Sequence, residues 1–120
     1  MGNPYQQFMK QSISTMTPAE LLIALYDKAE QELKKAIYYI ENNDMQKAST
    51  SIIKVQDIVA TLDGSLKMSY EISDNLAQLY DFFTRQLIQA NISKDIAILK
   101  PLIPLFADLK DAFMQISRKG

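Results

Sequence analysis

The sequence predicts an all-α protein: an antiparallel, up-down four-helix bundle with a short N-terminal leader. Three observations predict it. Met45, Ala48, Ile52, Val55, Val59, Leu62 and Leu66 follow one another at alternating spacings of three and four. That is a heptad seam, the pattern by which one helix packs into a bundle. Three further stretches carry apolar stripes of helical period, and all four are joined by short polar turns, which makes neighbours antiparallel. A helix with one narrow apolar seam is not stable alone in water, so the seam at 45–66 requires the other three as partners.

Residues 1–16 form the leader. Asn3-Pro4 resembles an N-cap followed by a first-turn proline, and Tyr5, Phe8, Met9, Ile13 and Met16 are too apolar to be left in water. Thr17-Pro18-Ala19-Glu20 is a capping box with proline at the first helical position, so the first helix is placed at 17–41. Its stripe is Leu22, Leu25, Tyr26, Ala29, Leu33, Ala36, Ile37 and Ile40. Asn42-Asn43-Asp44 ends it, and Asp44 caps the second helix, placed at 44–66. Lys67-Met68-Ser69 is read as a turn. The third helix, 70–91, uses Ile72, Leu76, Leu79, Tyr80, Phe83, Leu87 and Ala90, and Asn91 and Ser93 mark a stop and a new cap. The fourth segment, 94–118, has the seam Leu99, Leu102, Phe106, Leu109, Phe113 and Ile116, interrupted by Pro101 and Pro104. A proline inside a helix costs about 3 kcal/mol, so a short turn at 94–99, a break, and a helix from about 101 are expected. The whole chain is expected to form one domain.

Composition excludes most chemistry. Of 120 residues, 13 are basic and 14 acidic, for a formal net charge of -1, so no bulk field favours nucleic acid or an anionic membrane. There is no cysteine and no histidine. Thiolate sites, the usual general base and the histidine ligands of di-metal bundles are therefore excluded. Three glycines cannot build a phosphate-cradling loop. The first residues show neither the basic start nor the apolar core of a signal peptide, and no apolar run is long enough to insert in a bilayer. The expected setting is the cytoplasm, and the expected protein is not an enzyme and uses no cofactor or metal. The carboxylate pairs Glu71/Asp74 and Asp108/Asp111 lie off the seams and are read as solvated surface.

The positive signal is surplus apolar surface. Ile96, Ile98, Leu99, Leu102, Ile103, Leu105 and Phe106 make the proline region apolar nearly all round. Leu21, Ile23, Ile53, Phe82 and Ile88 also lie off the seams. Together they predict grooves that take an amphipathic or extended peptide. Ile53, Ile98, Ile103 and Leu105 are the candidate partner-binding residues of the body.

The motifs Asn3-Pro4-Tyr5, Thr17-Pro18-Ala19-Glu20-Leu21, Leu25-Tyr26-Asp27, Asn75-Leu76, Leu79-Tyr80-Asp81, Ala90-Asn91 with Asp95, and Leu109-Lys110-Asp111-Ala112-Phe113 occur in this order over nearly the whole length. In that ordered set the chain resembles the flagellar secretion chaperone family, FliS, the cytoplasmic export chaperone of flagellin. The departures are Phe113 where tryptophan is usual, Phe8 where a second tyrosine is common, and the prolines at 101 and 104. The resemblance implies a helical bundle around which the disordered C-terminal segment of flagellin wraps. It also implies suppression of premature filament assembly and hand-over to the flagellar export gate. It further suggests that Tyr5 and Phe8 plug part of a client groove when no client is bound. A wrapped disordered client loses ordering entropy, so such a chaperone must offer long apolar grooves on a rigid body, in keeping with the surplus just described. A monomer or weak dimer is expected. The rival reading is a non-catalytic bundle whose surplus apolar surface serves self-association or an adaptor role.

Overall fold

In the computed structural model, residues 16–66 and 71–119 are described, the side chains of 71–73 and 117–119 excepted. The described residues form α1 (Pro18–Glu41), α2 (Met45–Gly64), α3 (Glu71–Ser93), the single-turn α4 (Ile96–Leu99) and α5 (Leu102–Lys119). They make an all-α bundle with no strand among them. α1 is its central member, packed along both α2 and α5, and α3 packs on α2 and α4.

The helix ends follow from local chemistry. Thr17 caps α1: its Oγ1 accepts from Glu20 N–H at 3.1 Å, and Glu20 Oε1 accepts from Thr17 N–H at 3.0 Å. A cap of this kind is worth about 1 kcal/mol. At the other end Asn43 takes a left-handed conformation, φ 60°. Asn43 N–H then reaches Ile40 O at 3.0 Å and Asp44 N–H reaches Tyr39 O at 2.8 Å. These two bonds are a Schellman closure, and asparagine tolerates the positive φ that most residues avoid. Asp44 at once becomes the cap of α2 by accepting from Lys47 N–H at 3.1 Å. One three-residue link thus finishes one helix and starts the next.

The prolines are accommodated without an interior break. α5 begins at Leu102, so Pro101 lies in the link and Pro104 is the third helical residue. The first four N–H groups of a helix have no partner inside it, so the donor that Pro104 lacks was never in use. Asp95 caps α4 by accepting from Ala97 N–H at 2.9 Å.

The α2 seam is buried from Ala48 through Ile52, Val55, Val59 and Leu62. Its ends are not: Met45 is exposed and Leu66 half-buried. Ile58, off the heptad positions, is fully buried, and Ser51 and Thr61 are buried too. α2 has α1 on one side and α3 on the other, so its buried face is wider than one seam. Thr61 fits because its hydroxyl donates to Asp57 O one turn back, at 2.9 Å. Leu21, off the predicted stripe, is likewise core at 5% exposure, while Leu22 sits half-buried at the margin.

Aromatic rings join α1, α3 and α5. Tyr26 and Tyr80 are buried with their hydroxyls 2.5 Å apart. Phe83 stacks on Phe106 with centroids 4.3 Å apart, and Phe113 lies 5.6 Å from Tyr26. Burial pushes both tyrosine pKa values up. Both hydroxyls therefore stay protonated, and one donates to the other, so neither is left without a partner.

Glu32 is the one carboxylate among the described residues that is fully buried. Its Oε2 is 3.2 Å from Lys28 Nζ and 3.4 Å from Lys35 Nζ. Burial pushes its pKa up, but the hydrogen bond from Lys28 and the fields of Lys35 and Lys54 outweigh that and hold it below the ordinary 4.5.

Two predictions follow from this packing. Val59→Ala removes buried methyls from the α2 face and is expected to lower stability by about 1–2 kcal/mol in urea melts; a wild-type midpoint would contradict its burial. Because the folded pKa of Glu32 is depressed, its stabilising contribution is complete above the unfolded value and is lost as pH falls through the folded one. Thermal melts of wild type should therefore drop more steeply below about pH 4.5 than those of a Glu32→Gln variant.

Candidate functional site

A concavity lies between the first half of α1 and the second half of α5. It is lined by Met16, Glu20, Ile23, Ala24, Asp27, Lys110 and Met114, with a volume of about 440 Å³. α1 supplies Glu20, Ile23, Ala24 and Asp27 because positions three and four apart share a helix face. α5 supplies Lys110 and Met114 by the same rule. The floor is apolar and includes two methionines, whose unbranched thioethers adapt to varied apolar partners.

The rim is charged and fixed. Lys110 Nζ is 3.1 Å from Asp27 Oδ1 and 3.4 Å from Glu30 Oε1, so a single cation ties α5 to two acids of α1. The hydrogen bond to Asp27 raises the Lys110 pKa against the pull of burial, and Glu30 adds to it. Gln31 Nε2 donates to Asp27 Oδ2 at 2.7 Å, and Lys34 meets Glu30 at 3.3 Å. The Glu20 carboxyl is held low by the Thr17 backbone and side chain. Ionised groups this close pair with each other and leave the apolar floor as the part open to a partner. None of this arrangement is nucleophilic, and the described residues hold no cluster of three or more acids that could bind a metal.

Large apolar side chains are exposed elsewhere. Ile88 and Ile92 stand four residues apart on α3 at 46% and 75% exposure. Ile53, Phe82, Tyr38 and Ile116 are also exposed. Four residues is about one helical turn, so Ile88 and Ile92 form one continuous apolar strip.

The residues singled out in the sequence are not all in one place. Ile53 is exposed on α2. Ile98, Ile103 and Leu105 are half-buried against the margin of the core, in α4 and the start of α5, so each offers an edge rather than a full face. None of the four lines the α1–α5 concavity. Tyr5 and Phe8 lie outside the described residues. Sequence reasoning missed Ala24 and Met114, carried Asp27 and Lys110 only as members of the family motifs, and Glu20 only there and in the capping box. Ile23 was flagged as surplus apolar surface, and Met16 as part of the leader; nothing in the linear pattern showed that they meet.

No helix among the described residues is long and apolar enough to cross a membrane. A family model described as "Flagellar protein FliS" matches residues 1–120. This chain belongs to the FliS family. It is 34% identical over 113 residues to the Flagellar secretion chaperone FliS of Bacillus subtilis, covering 94% of this chain and 85% of that protein. The Salmonella typhimurium protein of the same name is 28% identical over 121 residues, covering 96% of this chain and 87% of the relative. The Escherichia coli protein, also so named, is 23% identical over 113 residues, covering 89% and 81%. FliS membership accounts for the ordered motifs. Of their residues, Tyr26, Tyr80 and Ala90 are in the core, Thr17 and Glu20 form the α1 cap, and Asp27 and Lys110 form the rim pair.

Proposed function

We propose that this protein is a flagellar export chaperone that acts in the cytoplasm. It binds the disordered C-terminal segment of flagellin, keeps it from assembling early, and aids its delivery to the flagellar type III export apparatus. The carrying observation is the match to the FliS family along all 120 residues, with relatives named flagellar secretion chaperones. The surface supports it: an apolar concavity on one side and exposed isoleucines on α2 and α3 are the kind of surface a wrapping peptide buries. The role needs binding and release, not catalysis, and no cofactor enters it.

In this reading Ile53, Ile98, Ile103 and Leu105 contact the client, joined by Ile23, Ala24 and Met114 in the concavity. Tyr5 and Phe8 cover part of a client groove when it is empty. Met16 supports that placement, because the last apolar residue of the leader already lines the concavity.

Circular dichroism tests the binding step. A flagellin C-terminal peptide mixed with the full chain should show more helix than the two separate spectra summed, since a client that folds on binding gains helix. A strictly additive spectrum at saturating peptide counts against it. Removing residues 1–14 tests the plug. A covered groove binds with an affinity reduced by the fraction of time it is open. Titration calorimetry should thus show tighter binding by the shortened chain, whereas weaker binding by a still-folded bundle refutes the plug.

A further inference from the structure

The ion pairs around the α1–α5 concavity do not use every charge on its rim. Lys110 meets Asp27 and Glu30 at 3.1 and 3.4 Å, and Lys34 meets Glu30 at 3.3 Å. Two lysines thus balance two acids. Glu20 is the remaining charged residue that lines the concavity, and among the described residues it makes no ion pair. It is exposed to solvent and lies two turns before Asp27 on one face of α1.

The Glu20 carboxylate is half used. Oε1 accepts from Thr17 N–H at 3.0 Å in the capping box, and Oε2 takes no hydrogen bond from a described residue. The Thr17 backbone and hydroxyl hold the Glu20 pKa below its ordinary value, so the charge is present at neutral pH. The bond to Thr17 also ties the side chain down, so a group that meets Oε2 finds it already placed. Beside it the floor of Met16, Ile23, Ala24 and Met114 is apolar. An unpaired anion at the edge of an apolar concavity selects by charge: it attracts a cation and repels an acid carried next to the apolar side chain that enters.

We propose that the concavity takes a helical client segment with a basic side chain one turn from the apolar side chain it inserts, and that Glu20 reads the basic group through Oε2. The proposal rests on the reading of the concavity as client surface and adds the client's charge pattern. Positions three or four apart share a helix face, so the apolar residue and the cation arrive together. Because Glu20 is exposed, water screens the ion pair, and it discriminates among segments rather than driving their binding.

Fluorescence anisotropy on the full chain tests this with three labelled helical peptides on an alanine background. Each has leucines at i and i+4, and at i+7 an arginine, a glutamine or a glutamate. Affinity should fall in that order by about twofold to fivefold per step, and the steps should shrink as salt rises. Glu20→Gln removes the charge and keeps the capping box, in which glutamine also serves. It should bring the three affinities together with little change in melting temperature, whereas Glu41→Gln at the far end of α1 should leave the order intact. Ala24→Gln, which fills the floor, should weaken all three. Equal affinities for wild type, or an order that survives Glu20→Gln, overturn the inference and leave the concavity as a client surface. Failure of all three peptides to bind, or binding that a folded Ala24→Gln variant does not weaken, overturns the client reading of the concavity and this inference with it.

Discussion

The bundle depends most on how Tyr26 is buried. Its ring lies in the core of α1, its hydroxyl meets that of Tyr80 on α3, and Phe113 of α5 lies beside it. A tyrosine buried without a partner for its hydroxyl is destabilising by about 1–3 kcal/mol. The Tyr26–Tyr80 bond therefore fixes where α3 sits relative to α1, because a displacement of either helix would leave two buried hydroxyls unsatisfied. The Phe83–Phe106 stack then holds α5 against α3. Three helices are set by five rings and one hydrogen bond.

That fixed core is what permits the surface to stay apolar. Exposed isoleucines such as Ile88 and Ile92 would promote collapse in a loosely packed protein. Here the core is already filled by tyrosines, phenylalanines and branched aliphatics, so the outer isoleucines have no interior place to enter. A rigid body with exposed apolar strips suits a role in which the partner, rather than the chaperone, does the folding.

Charge is divided along α1. The flank toward α5 carries Glu20 together with Asp27 and Glu30, the last two bridged by Lys110; the flank toward α2 carries Lys28 and Lys35 around Glu32. A net charge of -1 conceals this division. One central helix thus presents an acid-rimmed apolar concavity on one side and, on the other, two lysines paired with a buried glutamate.

The sequence by itself determined the helices, their caps and most of the core. Those features are local or periodic: a capping box spans four residues, and a seam repeats every three or four. It also carried the family's ordered motifs. What only the tertiary structure decided is which faces meet. Glu32 lies among polar neighbours in the chain yet is fully buried, with Lys28 and Lys35 at its carboxylate. Ile58 and Thr61 are core because α2 is covered on two sides, which no single helical period reveals. Pro104 is harmless because α5 starts two residues before it. Met16, Ile23 and Met114, nearly the full chain apart, form one surface only after α1 and α5 pack. Pairings at long separation depend on helix rotation and packing partners, and a one-dimensional pattern does not specify those.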